Sequence, residues 1–125
     1  MKTETVGSAT FETWTTAEVA QGLADGKIVV IDVRTPQEFM FEHIEGALLM
    51  PMAFFNPSTL PGQTEKQIVL HCGSGIRSEK MARLAMEKGL TRIAHLEGGF
   101  GAWKAAKQPY IGTNMGTGAP QRVGA

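Results

Sequence analysis

The sequence predicts an α/β fold, a mostly parallel sheet sandwiched between helices. Three observations predict it: short apolar runs rich in β-branched residues, helical patterns that alternate with them, and a length of 125 residues that suits one domain with one core. Apolar runs such as Ile28-Val29-Val30-Ile31 are too short for helices and read as strands covered on both faces, the usual state of a parallel sheet.

The elements follow in chain order. Thr15-Thr16-Ala17-Glu18 is a capping box with Thr15 as N-cap, and Val19, Ala20, Leu23 and Ala24 share one helical face until Gly26 stops the helix. A strand then lies within Lys27 to Val33. Thr35-Pro36-Gln37-Glu38 supplies a cap, a proline at the first helical position and an acid in the first turn, so a short helix runs to about Phe41. Ala47 to Met50 is a second short strand, stopped by Pro51. Phe54-Phe55-Asn56-Pro57 and Pro61-Gly62 mark an irregular connection, followed by a strand from Gln67 to His71. Met81, Ala82, Leu84 and Ala85 give the next helix its apolar face, Arg92 to Leu96 the fourth strand, and Gly98 to Trp103 the start of the last helix. Phe39, Phe54, Phe55, Phe100 and Trp103 are expected to pack in the core or under helices, with Trp103 over the end of the sheet.

Composition limits the function classes. Twelve basic and twelve acidic residues cancel, with no basic stripe or like-charge block, so neither nucleic acid nor an anionic membrane is an expected partner. Met1 to Thr16 lacks the apolar core of a secretory signal and no stretch reaches transmembrane length, so a cytoplasmic location is expected. The single cysteine, Cys72, suits a reducing compartment and is free for chemistry or for packing.

Cys72 is the candidate nucleophile. It ends the apolar run Ile68-Val69-Leu70-His71 and opens the loop Cys72-Gly73-Ser74-Gly75-Ile76-Arg77-Ser78, which runs into a helix. Converging N–H groups and the positive helix end stabilise an anion there, and a thiolate is an anion. Gly73 and Gly75 permit close backbone approach, Ser74 offers a hydroxyl, and Arg77 is expected to lower the thiol pKa further. An arginine beside a positive helix end is unfavourable unless an anion is present. Asp32, Arg34 and Glu38, at and after another strand end, are expected to buttress the site rather than to react. His43, His71 and His95 form no familiar ligand spacing with Cys72, so no metal is expected.

Several motifs in order resemble the single-domain rhodanese family of sulfurtransferases: Val30-Ile31-Asp32-Val33-Arg34 with Glu38-Phe39, His43-Ile44-Glu45-Gly46-Ala47, the cysteine loop ending Arg77-Ser78, and Leu96-Glu97-Gly98-Gly99 with Ala102-Trp103. Glu42 departs from the glycine the family often has before His-Ile. The resemblance spans roughly residues 11–107, leaving residues 1–10 as a flexible N-terminus and 108–125, rich in glycine, as a flexible tail. It implies a three-layer sandwich with a mostly parallel five-stranded sheet, no cofactor, and a monomer or homodimer. It also implies that Cys72 takes a sulfane sulfur from a small-molecule donor, becomes a persulfide, and passes the sulfur to a thiophilic acceptor such as cyanide or a small or protein thiol. Gly73 to Arg77 would supply N–H donors, and Arg77 would hold the persulfide charge and attract an anionic donor.

Rival functions are separable. Cysteine phosphatases and arsenate reductases also hold a cysteine in an anion cradle closed by arginine, but the phosphatase loop is one residue longer than the four residues between Cys72 and Arg77, and no aspartate stands out as a general acid. Silent binding modules of the same fold usually lack the cysteine. A peroxide sensor would need a second thiol to resolve a sulfenic acid within the chain. Gly73-Ser74-Gly75 resembles the loop of mercaptopyruvate sulfurtransferases, whereas a cation at Arg77 suits thiosulfate, the favoured donor.

Overall fold

The computed structural model describes residues 1–124. Its chain order is β1 (Lys2–Val6), β2 (Ala9–Trp14), α1 (Thr16–Ala24), β3 (Ile28–Asp32), α2 (Pro36–Phe41), β4 (Glu42–His43), β5 (Leu48–Leu49), two 3-10 turns, β6 (Gln67–His71), α3 (Ile76–Glu87), β7 (Arg92–Leu96), α4 (Gly99–Ala105), β8 (Tyr110–Thr113) and β9 (Pro120–Val123). Both capping boxes form: Thr15 and Thr35 each accept from the N–H three residues on, and Glu18 and Glu38 reach back to the cap N–H.

The main sheet has the order β1-β2-β7-β6-β3-β5, parallel throughout except for β1. It therefore has six strands where five were expected. Alternation along β3 and β6 feeds two cores. Val30 and Val69 join Val19, Ile44, Phe100 and Trp103 on one face, and Ile31, Ile68 and Leu70 join Phe11, Met81 and Ala82 on the other. Helices thus cover both faces, and Cys72 belongs to the second core.

Two expectations about the ends of the chain fail. Residues 1–10 are not loose: β1 pairs with β2 across a Gly7-Ser8 turn in which Gly7 takes φ 61°. The strand is almost wholly exposed, so polar residues such as Lys2 and Glu4 hide it, while Thr and Val give it β propensity. Nor is the C-terminal segment a loose tail. Tyr110–Thr113 pairs with both Glu42–His43 and Pro120–Val123, and Gly116 and Gly118 fall in the turn between β8 and β9, where Asn114 Oδ1 accepts from the N–H of Gly116 at 2.8 Å and of Thr117 at 3.1 Å. Ala125 lies outside the described residues. Phe54 is not a core residue either, being 78 % exposed on a 3-10 turn. Among the described residues no helix is long and apolar enough to cross a membrane.

The fold places the parallel strands' carboxyl ends together, where α/β sheets bind ligands. Asp32 ends β3 and His71 ends β6, paired in register, and Cys72 follows at once.

Candidate active site

Cys72 is fully buried at the mouth of α3. Its loop turns through Gly75, which takes φ 107° as the N-cap of α3 and so points its N–H back at the sulfur. The N–H of Gly75 lies 3.1 Å from Sγ, that of Ser78 3.4 Å, and the Ser78 hydroxyl oxygen 3.6 Å. Burial pushes the Cys72 thiol up, and the N–H and hydroxyl of Ser78 with the N–H groups of Gly75 and Ser74 more than offset it, leaving the thiol below its ordinary value. Backbone N–H groups of Gly75 and Ser78 thus converge on the sulfur. Ser74 contributes its backbone only, its side chain being exposed, and Ile76 faces solvent at 77 % exposure.

Arg77 departs from expectation. It makes no hydrogen bond to the sulfur; Nη1 and Nη2 grip both carboxylate oxygens of Glu38, at 2.8 and 3.0 Å. Glu38 lies 39 residues away on α2 and is also that helix's capping acid. The Arg77 guanidinium, with the Thr35 N–H and hydroxyl, outweighs the opposing effect of burial and holds the Glu38 carboxyl down to about 2. A depressed carboxyl stabilises the fold fully above its ordinary value of 4.5 and progressively less as pH falls towards 2. Both partners are about a third exposed, so the contribution is modest, about 1 kcal/mol or less. The thermal midpoints of the wild type and Glu38→Gln should therefore differ at pH 6 and converge as pH is lowered through this range. A gap independent of pH would assign the difference to packing.

Asp32 and Arg34 form the buried frame. Arg34 Nε and Nη2 donate to the Asp32 carboxylate at 2.8 to 3.0 Å, the Arg34 N–H caps Oδ1 at 2.9 Å, and Nη2 also holds the Glu42 carbonyl at 2.7 Å. The Phe100 ring packs 4.6 Å from the guanidinium. This pair ties β3 to β4 and α4 and does not touch Cys72. His71 Nε2 sits 3.5 Å from Asp32 Oδ2, and burial above all holds the ring's pKa below its ordinary value despite that carboxylate. Among the described residues no group of three or more His, Cys, Asp or Glu is placed to hold a metal ion.

Two contributors were not legible in the sequence. The Gly98-Gly99 turn clamps the loop from behind: the N–H of Phe100 donates to Cys72 O at 2.8 Å and that of Gly101 to Gly73 O at 3.0 Å. A Cβ on Gly99 would lie 2.4 Å from Cys72 O and 2.7 Å from Gly73 C, so the motif is a contact that only glycine permits. The other is His95, whose Nδ1 lies 2.8 Å from the Ser78 hydroxyl. It sits on β7, opposite Leu70 of β6, and only strand register brings it to the cysteine loop.

The rhodanese-like domain profile matches residues 15–106. The chain belongs to the rhodanese-like family. An uncharacterized protein of Synechocystis is 42% identical over 86 residues, 69% of this chain and 48% of that protein. The probable adenylyltransferase/sulfurtransferase MoeZ of Mycobacterium tuberculosis is 35% identical over 78% of this chain and 26% of its own length. The chain thus spans about half of the first relative and about a quarter of the second. Thiosulfate sulfurtransferase GlpE of Coxiella burnetii is 36% identical over 62% of this chain and 73% of its own. A rhodanese-related protein from Thermoplasma volcanium shares the fold with a TM-score of 0.70 over 80% of this chain and 97% of its own, at 24% identity. A Rhodopseudomonas palustris protein described as a possible tyrosine phosphatase superposes with a TM-score of 0.64 at 32% identity, covering 77% of this chain and 81% of its own.

Proposed function

We propose that this rhodanese-like chain is a sulfurtransferase that carries sulfane sulfur on Cys72, with thiosulfate as the favoured donor. The observation that carries this reading is the ring of N–H donors closed around Sγ within a loop that puts only four residues between Cys72 and Arg77. The Cys72 thiolate attacks the outer sulfur of thiosulfate, the S–S bond of the donor breaks, and sulfite leaves with the electron pair. Cys72 then holds a persulfide anion whose charge the Gly75, Ser74 and Ser78 N–H groups face. Attack by cyanide or a thiolate on the outer sulfur returns the Cys72 thiolate. A name that includes sulfurtransferase in both GlpE and MoeZ supports the class of reaction.

Arg77 is the donor-recognition residue in this reading. An incoming dianion competes with Glu38 for the guanidinium, so Arg77 can swing from one carboxylate to the donor's sulfonate. Arg77→Ala should slow persulfide formation from thiosulfate by about 30- to 1000-fold, the cost of one lost charge-stabilising donor of about 2 to 4 kcal/mol. An uncharged polysulfide donor should be affected far less, and equal slowing of both would assign Arg77 to loop structure.

A phosphatase is less well supported, because the N–H groups that would bind a phosphate are taken up by Sγ itself in this short loop. A steady-state panel of thiosulfate, mercaptopyruvate and a phosphate monoester tests all three. Turnover of the sulfur donors alone is expected, with thiosulfate ahead; hydrolysis of the phosphate monoester alone would overturn the proposal.

A further inference from the structure

Ser78 carries one hydroxyl proton and has three neighbours that compete for it. Its oxygen is 2.8 Å from His95 Nδ1, 3.2 Å from the Gly75 carbonyl and 3.6 Å from Cys72 Sγ. The shortest of these joins the hydroxyl that faces the buried thiol to the His95 imidazole; His71 meets the cysteine loop at the Cys72 carbonyl, 3.2 Å from its Nδ1, and not at the sulfur. His95 is 5 % exposed, and the Phe11 ring packs against it at 5.0 Å. His95 also lines a surface cavity of about 300 Å³, together with Ser74, Gly75, Glu97 and Gly98. Among the described residues Nε2 has no hydrogen-bond partner and is not sealed from solvent, and the cavity His95 lines is the open space beside it.

We infer that His95 is a positioning residue which, through the Ser78 hydroxyl, relays the proton of the Cys72 thiol to the surface cavity and then holds that hydroxyl against the thiolate. The inference rests on Cys72 being the nucleophile proposed above. In the thiol state the Cys72 S–H donates to Ser78 Oγ, the Ser78 O–H donates to Nδ1, and His95 carries its proton on Nε2. On ionisation the S–H bond breaks and its proton passes to Ser78 Oγ. The former Ser78 proton passes to Nδ1, and the Nε2 proton leaves to water in the cavity. One proton is released and nothing is oxidised or reduced. Afterwards Nδ1–H donates to Ser78 Oγ, which frees the hydroxyl proton for the thiolate, an acceptor that outcompetes the neutral Gly75 carbonyl.

The surroundings keep the ring neutral, as a tautomer switch requires. Burial, the dominant influence, lowers the His95 pKa; Glu79 and Glu97 raise it and Arg83 lowers it. Glu79 is paired with Arg83 at 3.1 Å and Glu97 with Lys2 at 3.4 Å, so the charges facing the ring from α3, β1 and the Gly98 turn largely cancel.

Four variants and one wild-type measurement test this. The thiolate is titrated by the pH dependence of iodoacetamide alkylation, which requires no sulfur donor, and persulfide formation from thiosulfate is timed separately. His95→Ala should move the alkylation midpoint up by about one pH unit and slow persulfide formation about tenfold at neutral pH, with the difference closing at high pH. His95→Asn, whose amide can donate to Ser78, should recover part of the shift. Ser78→Ala/His95→Ala should be no worse than Ser78→Ala, since His95 acts only through that hydroxyl. In the wild type, ¹⁵N imidazole shifts should move from the Nε2–H to the Nδ1–H form as Cys72 ionises, a result that survives if a variant misfolds. Identical alkylation profiles for the wild type and His95→Ala, or one fixed His95 tautomer across the Cys72 titration, would overturn the relay. A wild type that alkylates as described but takes no sulfur from any donor would instead overturn the proposed reaction.

Discussion

Cys72→Ser should abolish sulfur uptake, by at least about four orders of magnitude, while the fold and its thermal midpoint stay close to those of the wild type. The substitution is nearly isosteric at a fully buried position, and the N–H groups of Gly75 and Ser78 that face Sγ can face a hydroxyl oxygen equally well. A serine hydroxyl lacks the two properties the cradle exploits. It does not ionise near neutral pH even with several donors around it, and its oxygen does not form a stable link to sulfane sulfur. The expected stability change is therefore within about 1 kcal/mol, against complete loss of chemistry. Thermal unfolding alongside a sulfur-transfer assay separates the two. A variant that keeps turnover would place the chemistry elsewhere.

Gly99→Ala should be the most damaging single methyl group near the site. The added Cβ would meet three backbone atoms at 2.4, 2.7 and 2.8 Å, all in Cys72 and Gly73, so no side chain can swing aside and the cysteine loop itself must shift. The positive φ of 60° adds roughly 1 kcal/mol of conformational strain. A total of about 3 to 5 kcal/mol is expected, with a fall in thermal midpoint on the order of 10 °C or more. Reactivity should fall as well, because the Phe100 and Gly101 N–H groups that fix the Cys72 and Gly73 carbonyls would be pushed away. Gly101→Ala is the matched comparison. Its Cβ would stand 3.3 Å from Gly73 O, and it carries no positive φ, so its effect should be small. Equal midpoints and alkylation rates for the two alanine variants would contradict this account of the clamp.

What the sequence disclosed and withheld follows from which residues speak locally. β3, β6 and β7 are apolar runs whose burial on both faces is written in consecutive residues, and Arg92–Leu96 and Gln67–His71 match their expected bounds. The two capping boxes are local as well, as each rests on a four-residue pattern. The outermost strands, β1 and β9, were illegible because they are exposed and polar: Lys2–Val6 has no buried residue, and Pro120–Val123 has none either. Their stability comes from partners across the sheet.

The cysteine cradle was likewise local, being a strand end, a glycine turn and a helix start. The partners of its members were not. Glu38 announced itself as the cap of α2, and nothing near it in sequence reveals that the same carboxylate holds Arg77. His95 lies 17 residues beyond Ser78 and reaches it only because β6 and β7 pair in parallel. Asp32 and Arg34 could be read as a frame from their adjacency, and the structure joins them in a buried two-pronged pair.

The most direct test of the central proposal is the mass of the intact chain before and after incubation with thiosulfate. The wild type should gain the mass of one sulfur atom, lose it again on addition of cyanide, and show no gain as Cys72→Ser. A chain that gains nothing from thiosulfate, mercaptopyruvate or a polysulfide, or a serine variant that gains sulfur as the wild type does, would contradict a Cys72 persulfide.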